Sequence, residues 1–494
     1  MARGPQNREG NLEFSALRLY DDETPMTTRR HFLQLTAAAS AAAPKGRPNI
    51  VVFMTDDHGA WASSVYGCRE MKTPNLQRLA DTGTKFSRAY AATPVCSPSR
   101  LTYLTGVLPS RHHVQDWLTP EDSAGATARH WVAGLTSYSS LLAKSGYTCG
   151  LTGKWHMGHD EIAQEGFTYW ATVPGGGGTF QDAEFVRNGE RVRKPGFKED
   201  AIGDFALEFL ASQRAKPGPF FLLVPFYAPH TPYDFQPPED RAPYAGSDFG
   251  CFPREPAHPW ANRGLLRHQN DKRSMEAYSA LVTGMDRNVG RVLAYLDREG
   301  WRENTTVIFT ADQGYNTGHH GFWGKGNGTW PFNLYEESVR VPLIWNHPGR
   351  IAASQTLDPM LSSYDFFPTL LDWAGVKAPA ASAERVGRSY AGFLRGKKLS
   401  AWPDRVFFEY SMVRGVRTAN LKLVLRTPEF PSELYDLEGD PQEKHNLWDN
   451  PAHAQQKAEL SRQVEAFFAK SGAPPLGDWK RDVKQKLTVY QRAP

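Results

Sequence analysis

The sequence predicts an α/β protein, a sheet of buried strands covered by helices on both faces. Three observations carry that prediction. Short apolar runs alternate with helix-periodic segments as far as Gly375. Polar, potentially reactive residues follow directly after four of those runs. A chain of 494 residues is also long enough to bury such a sheet and to build a smaller unit beside it.

Taken in order, the first strand is NIVVFM at residues 49–54, followed by TDDHG. TPNLQRLADTG reads as a short helix stopped by Gly83, and TKFSRAYA as one strand. In PVCSPSR, Pro98 fits the first turn of a helix with Ser97 as its cap, and SRLTYLTG runs to a stop at Gly106. That puts Cys96 at a helix N-terminus with Arg100 one turn later. SYSSLLAKSG is helical to Gly146, and YTCGL leads into TGKWH. DFALEFLASQ is a helix before FFLLVPFYAPH, a strand ending near His230. MEAYSALVTGMDRNVGRVLAYLDREG reads as one or two long amphipathic helices ahead of TTVIFTADQG. VPLIWN is a further strand and YDFFPTLLDWAG a helix.

Past Gly375 the pattern changes to a Pro/Ala-rich linker, then RGVRTANLKLVLR and ELYDLEGD, which read as antiparallel strands joined by turns. An amphipathic helix follows at about residues 452–470, so the expected division is 46–376 and 377–494. Before residue 46 the text is of another kind. MTTRRHFLQLTAAASAAAP carries Arg29-Arg30, a short apolar stretch and an Ala-x-Ala site, which resembles a bacterial twin-arginine export signal at 26–45. Residues 1–25 are polar and patternless, a non-native or disordered leader if translation starts at Met26. Export of a folded protein to the periplasm or beyond, through the twin-arginine machinery, lowers the expectation of disulfides.

Composition narrows the function. A net charge of +4 without long Lys/Arg blocks argues against nucleic-acid binding and accommodates an anionic substrate. No run reaches the ~18 to 20 apolar residues of a spanning helix. Aromatics at 12% fit either sugar stacking or a large core. Cys68, Cys96, Cys149 and Cys251 have neither zinc spacing nor framework density, which leaves room for a single bridge at most.

The four strand ends present Asp56-Asp57, Lys154 with His156, His230, and Asp312-Gln313, with Lys325 in the later loop HHGFWGKGNG. Each alone reads equally as a cap, a turn or a solvated charge. Together at one sheet edge, carboxylates and cations demand a ligand to organise them. Asp56, Asp57, Asp312 and the Gln313 amide are oxygen donors suited to a hard cation such as Ca2+. Arg100, Lys154, His156, His230 and Lys325 suit a tetrahedral anion beside it. A soft thiolate is a poor companion for that set, so Cys96 is either incidental or not a cysteine in the working protein.

CSPSR followed by LTYLTG, GYTCGLTGKWH and LYDLEGDPQEKHNL resemble the formylglycine-dependent type I sulfatases of the alkaline-phosphatase superfamily, over residues 49–446. The resemblance implies a mixed sheet sandwiched by helices with a small C-terminal sheet and helix. It implies that a formylglycine-generating enzyme oxidises Cys96 to Cα-formylglycine (3-oxoalanine). The hydrated aldehyde then attacks sulfur, and sulfate leaves as the aldehyde re-forms. By the same resemblance Asp56, Asp57, Asp312, Gln313 and the modified Cys96 bind one Ca2+. Arg100 and Lys154 hold diol and sulfate, His156 is the base, and His230 and Lys325 bind sulfate and assist the leaving alcohol. Gln313 departs from the Asn of many relatives. The substrate expected is a sulfated carbohydrate, with small aryl or alkyl sulfates as the alternative. Phosphoester or phosphonate hydrolysis and a non-catalytic sugar-binding role are the competing readings.

Overall fold

The computed structural model describes residues 46–380 and 382–478. The leader and the export signal read from residues 1–45 lie outside the described residues.

Strand Asn49–Thr55 occupies the middle of a ten-stranded sheet, paired in parallel with Phe220–Pro225 on one side and Thr305–Ala311 on the other. Thr148–Gly153 and Phe167–Thr172 extend the parallel run, and Leu343–Asn346 adds antiparallel to Thr305–Ala311. Alternation sorts the central strand between two cores. Val51 and Phe53 pack with Phe205, Phe209 and Leu281 of the helices Lys198–Ser212 and Lys272–Arg298. Ile50, Val52 and Met54 pack with Leu101, Leu142 and Phe366 of the helices Cys96–Thr105, Tyr138–Lys144 and Ser363–Trp373. The periodic segment before the third central strand is one unbroken helix, started by Asp271, whose side chain accepts from Ser274 N.

The C-terminal part is a four-stranded antiparallel sheet, Val406–Tyr410, Val413–Arg417, Leu421–Arg426 and Glu433–Asp436, covered by helix Ala454–Lys470. Val464 and Phe468 of the helix pack on Val416 and Leu423. The sheet is tied to the larger part at Ser110, whose N–H donates to Glu409, and at Asp116, which accepts from Tyr410 OH at 2.8 Å.

Three sequence expectations change. TKFSRAYA is not one strand: Thr84–Phe86 joins the large sheet, and Ala89–Tyr90 joins a separate three-stranded one. The Cys96 helix begins at Cys96 itself with Val95 as its N-cap. Ser97 does not cap it, because its hydroxyl accepts from Leu118 N at 3.0 Å. Lastly, against the lowered expectation of disulfides, the single bridge that the cysteine count left room for forms between Cys68 and Cys251, while Cys96 and Cys149 are free and buried. The fold brings together residues 183 apart, which their spacing does not reveal. No helix among the described residues is long and apolar enough to cross a membrane.

Candidate active site

The strand ends deliver the site. Beyond the last ladder pairs, Asp312 N donates to Thr55 O at 2.9 Å, Phe226 N to Met54 O at 2.8 Å and Lys154 N to Pro225 O at 2.7 Å. These bonds hold the segments carrying Asp56, Lys154, His230 and Asp312 at one level of the sheet edge. The Cys96 helix meets them from above, and Gly326 N donates to Pro94 O, fixing the Lys325 loop beside the start of that helix. A Cβ at Gly326 would come within 2.3 Å of the Pro94 ring, so the two segments touch only because residue 326 lacks one.

All the residues singled out by sequence converge. Asp56 is the hub: its Oδ2 pairs with Lys154 Nζ and lies 3.4 Å from Arg100 Nη2, and its Oδ1 is 3.7 Å from Lys325 Nζ. Asp57 Oδ1 meets Lys325 Nζ at 2.6 Å, and its Oδ2 is 3.7 Å from His230 Nε2. Arg100 donates from Nε to Asp312 Oδ2 at 2.8 Å and from Nη1 to Lys154 O at 2.7 Å. Gln313 Nε2 donates to Asp57 Oδ1 at 2.7 Å and to Asp56 Oδ1 at 3.2 Å. Three carboxylates thus face two lysines and an arginine in a buried cluster. Asp57 and His156 adopt left-handed φ of 65° and 56°, conformations that cost a non-glycine residue free energy and gather at functional sites.

Above the cluster lies a cavity of about 270 Å³. Asp57, Cys96, Lys154, His156, His230 and Lys325 line it. Arg100, Asp56, Asp312 and Gln313 form the layer beneath. His156 Nε2 lies 2.8 Å from Leu118 O, a contact that requires the proton on Nε2 and leaves Nδ1, buried and without a partner, as a lone pair. Burial and then the Lys154 charge keep this imidazole well below the usual histidine range, hence neutral.

Other groups follow the same balance. Burial opposes charge on Asp56, but Lys154, His230, Lys325 and Arg100 outweigh it and hold the carboxyl well below its usual range. Burial, then the Asp56 charge, push Asp312 up to about 7. Burial also pushes the Cys96 thiol up, and Lys325 and Lys154 only partly offset that. An unmodified thiol here is a poor nucleophile. Asp56, Asp57 and His230 bring candidate ligand atoms within 4.8 Å of one another.

Sequence reasoning missed several neighbours. Tyr227 packs against His230 with ring centroids 4.9 Å apart and the planes tilted by 31°, and carries Lys154 and Lys198 Nζ at 5.2 and 3.8 Å from its centroid. Gly176, at φ 67°, lies so close to His156 that a Cβ would fall 2.1 Å from the imidazole. The glycine run at 175–178 was the available signal for that approach. Trp117 and Asn327 also line the cavity, and no local pattern marks either.

A family model described as Sulfatase matches residues 48–376, and one described as N-sulphoglucosamine sulphohydrolase, C-terminal, matches residues 318–470. The chain is 28% identical to an N-acetylglucosamine-6-O-sulfatase of Bacteroides thetaiotaomicron, covering 88% of this chain and 89% of that one. It is also 28% identical to a choline-sulfatase of Rhizobium meliloti, over 84% and 85% of the two chains. A structure solved in complex with its substrate D-glucosamine-2-N,6-O-disulfate superposes with a TM-score of 0.75 at 26% identity, over 87% of this chain and 99% of that one. A phosphonate monoester hydrolase of Agrobacterium radiobacter shares the fold, with a TM-score of 0.68 at 21% identity, over 86% and 96%. With the first family model spanning well over half of its length, this chain belongs to the sulfatase family and is a sulfuric ester hydrolase.

Proposed function

We propose that the protein hydrolyses sulfate esters of carbohydrates, with Cys96 matured to formylglycine and one Ca2+ held by Asp56, Asp57, Asp312 and Gln313 beside it. The observation that carries this reading is the meeting of Cys96, a histidine of fixed tautomer and two buried lysines, Lys154 and Lys325, around one cavity. The relatives named for sulfated glucosamine favour a sugar as the alcohol.

The residues present fit a hard cation. All four donors are oxygens, and Gln313 Oε1 is buried without a partner. A half-turn of that amide brings Oε1 to the place where Nε2 now meets Asp56 and Asp57. Bound there, the ion polarises the sulfate and stabilises negative charge at the nucleophile. Formylglycine, once formed and hydrated, supplies one hydroxyl to attack sulfur and a second whose deprotonation releases sulfate.

The chain's own groups do the rest. Lys154, Lys325 and His230 reach the cavity; we assign to them the neutralisation of the sulfate oxygens, and to His230 or Lys325 the proton taken by the leaving alcohol. His156 Nδ1, bare and neutral, accepts the hydroxyl proton in the release step. Arg100 works from below, holding Asp312 and Asp56 in place. A formylglycine-generating enzyme, export through the twin-arginine route and a division near residue 376 complete the proposal.

The test is turnover by protein co-produced with a formylglycine-generating enzyme, on N-acetylglucosamine-6-sulfate, 4-nitrophenyl sulfate and 4-nitrophenyl phosphate. Release of sulfate with kcat/KM at least ~100-fold above that for the phosphate ester is expected. Preference for the phosphate ester would place the enzyme with the phosphoryl-transfer members of this fold.

A further inference from the structure

Among the polar side chains of the cavity wall that the chemistry above does not use, the one amide is Asn327. Asn327 is two residues beyond Lys325, lines the cavity and is only 6% exposed. Its backbone is fixed on both sides. Gly326 N donates to Pro94 O, Gly328 N donates to Lys325 O at 2.7 Å, and Asn333 Nδ2 donates to Lys325 O and Thr329 Oγ1, each at 3.0 Å. Yet among the described residues the Asn327 amide itself has no hydrogen-bond partner. An amide held on a cavity wall with no protein partner is free to exchange hydrogen bonds with a ligand.

The kind of ligand group follows from hydrogen-bond inventory. Sulfate oxygens accept only, and Lys154, Lys325 and His230 already face them. An amide offers a donor and an acceptor together, which matches a sugar hydroxyl or acetamido group. The same cavity is lined by half-buried Trp117, whose backbone N–H donates to Asp116 Oδ1 at 2.8 Å; that oxygen also accepts from Tyr410 OH of the C-terminal sheet. That bond holds the main chain at Trp117, and an indole on the cavity wall is a suitable rest for the apolar face of a pyranose. At about 270 Å³ the cavity lies just under the ~300 to 1,000 Å³ of drug-sized sites, room for one ring and its sulfate.

We propose that Asn327 is a specificity-determining residue, reading a hydrogen-bonding substituent beside the sulfate ester on a single sugar ring seated against Trp117. This rests on the sulfate-ester reading and adds to it a preference for a terminal or free sulfated monosaccharide. The test compares Asn327→Ala with the unaltered enzyme on N-acetylglucosamine-6-sulfate and on 4-nitrophenyl sulfate, which has no such substituent. Expected are a ~10- to 100-fold fall in kcat/KM for the sugar, the range of one unmatched buried hydrogen bond, and less than ~3-fold for the aryl ester. Calorimetric binding of the sugar sulfate to Cys96→Ala protein should weaken by the same factor when Asn327→Ala is added. Equal losses on both esters, no loss on either, or a large fall in melting temperature would each overturn the assignment. Absence of turnover on every sulfate ester by the unaltered enzyme would instead overturn the proposed function itself.

Discussion

Two buried charge clusters in this protein are built on opposite terms. On the C-terminal sheet Glu409 and Arg414 face each other across paired strands. Glu409 Oε1 accepts from Arg414 Nε and Nη2 at 3.0 and 2.8 Å, Oε2 accepts from Ser110 N at 2.7 Å, and the guanidinium covers the Phe468 ring at 4.3 Å. Both carboxylate oxygens are matched, and the pair fastens sheet, helix and main body together. Around Asp56 the terms differ: one carboxylate serves several cations, while Gln313 Oε1 and His156 Nδ1 have no partner among the described residues. Burial with complete pairing is structural, and burial with shared charges and bare lone pairs prepares a site for what binds there.

Substitutions separate the two. The largest effect belongs to Cys96→Ala, expected to lower kcat by ~10⁴ or more while the melting temperature moves by less than about 3 °C. Steady-state kinetics with calorimetry checks both halves. Next, His156→Gln should cost ~10² to 10⁴ in kcat with little change in KM, because the base acts only in the release of sulfate. A loss confined to KM would remove His156 from that role. Glu409→Ala reverses the pattern. Leaving Arg414 buried and uncompensated should cost about 3 to 5 kcal/mol in chemical denaturation, with kcat/KM of the folded protein within ~3-fold of the original.

Calcium sharpens the contrast further. Adding the ion at about 100 times its Kd to chelator-treated protein should stabilise it by about 2.7 kcal/mol. Gln313→Ala should abolish that gain and Glu409→Ala should keep it. The smallest effect is a pH slope away from both clusters. Burial pushes Asp286 up to about 6 from 3.8, although its carboxylate accepts from Asn75 N and Leu76 N at 3.0 and 2.8 Å. The folded state therefore holds this proton more tightly than the unfolded one. The stability it contributes is full below about pH 4 and is lost as the pH rises through about 6. Asp286→Asn should flatten that decline by about 1 kcal/mol per pH unit, and an unchanged slope would assign it to other groups.

The central strands were legible because burial on both faces writes a continuous apolar run, as in residues 49–54 and 305–311. Asp56, Lys154 and Asp312 were legible for a related reason: each follows its strand immediately, so the sheet's own register carries it to the edge, whereas Cys96 and Arg100 on their helix were legible through the CSPSR motif. Where position depends on a distant segment, the sequence is silent. Thr84–Phe86 and Ala89–Tyr90 part company because different strands receive them, and Ser97 leaves the cap position because Leu118 N reaches its hydroxyl. Cys68 and Cys251 meet only in the finished fold. Trp117 and Asn327 belong to the same class, since a cavity wall is assembled from loops with no shared period.

The account stands or falls on the chemical identity of residue 96, and intact-mass and tryptic-peptide analysis of protein from its own host reads it directly. Conversion of the Cys96 side chain to an aldehyde lowers the peptide mass by about 18 Da, whereas ordinary thiol oxidation raises it. The lighter peptide is the predicted result. A population that is wholly free thiol at residue 96, in protein from its own host, would contradict the formylglycine mechanism and move phosphoryl transfer or non-catalytic binding ahead of it.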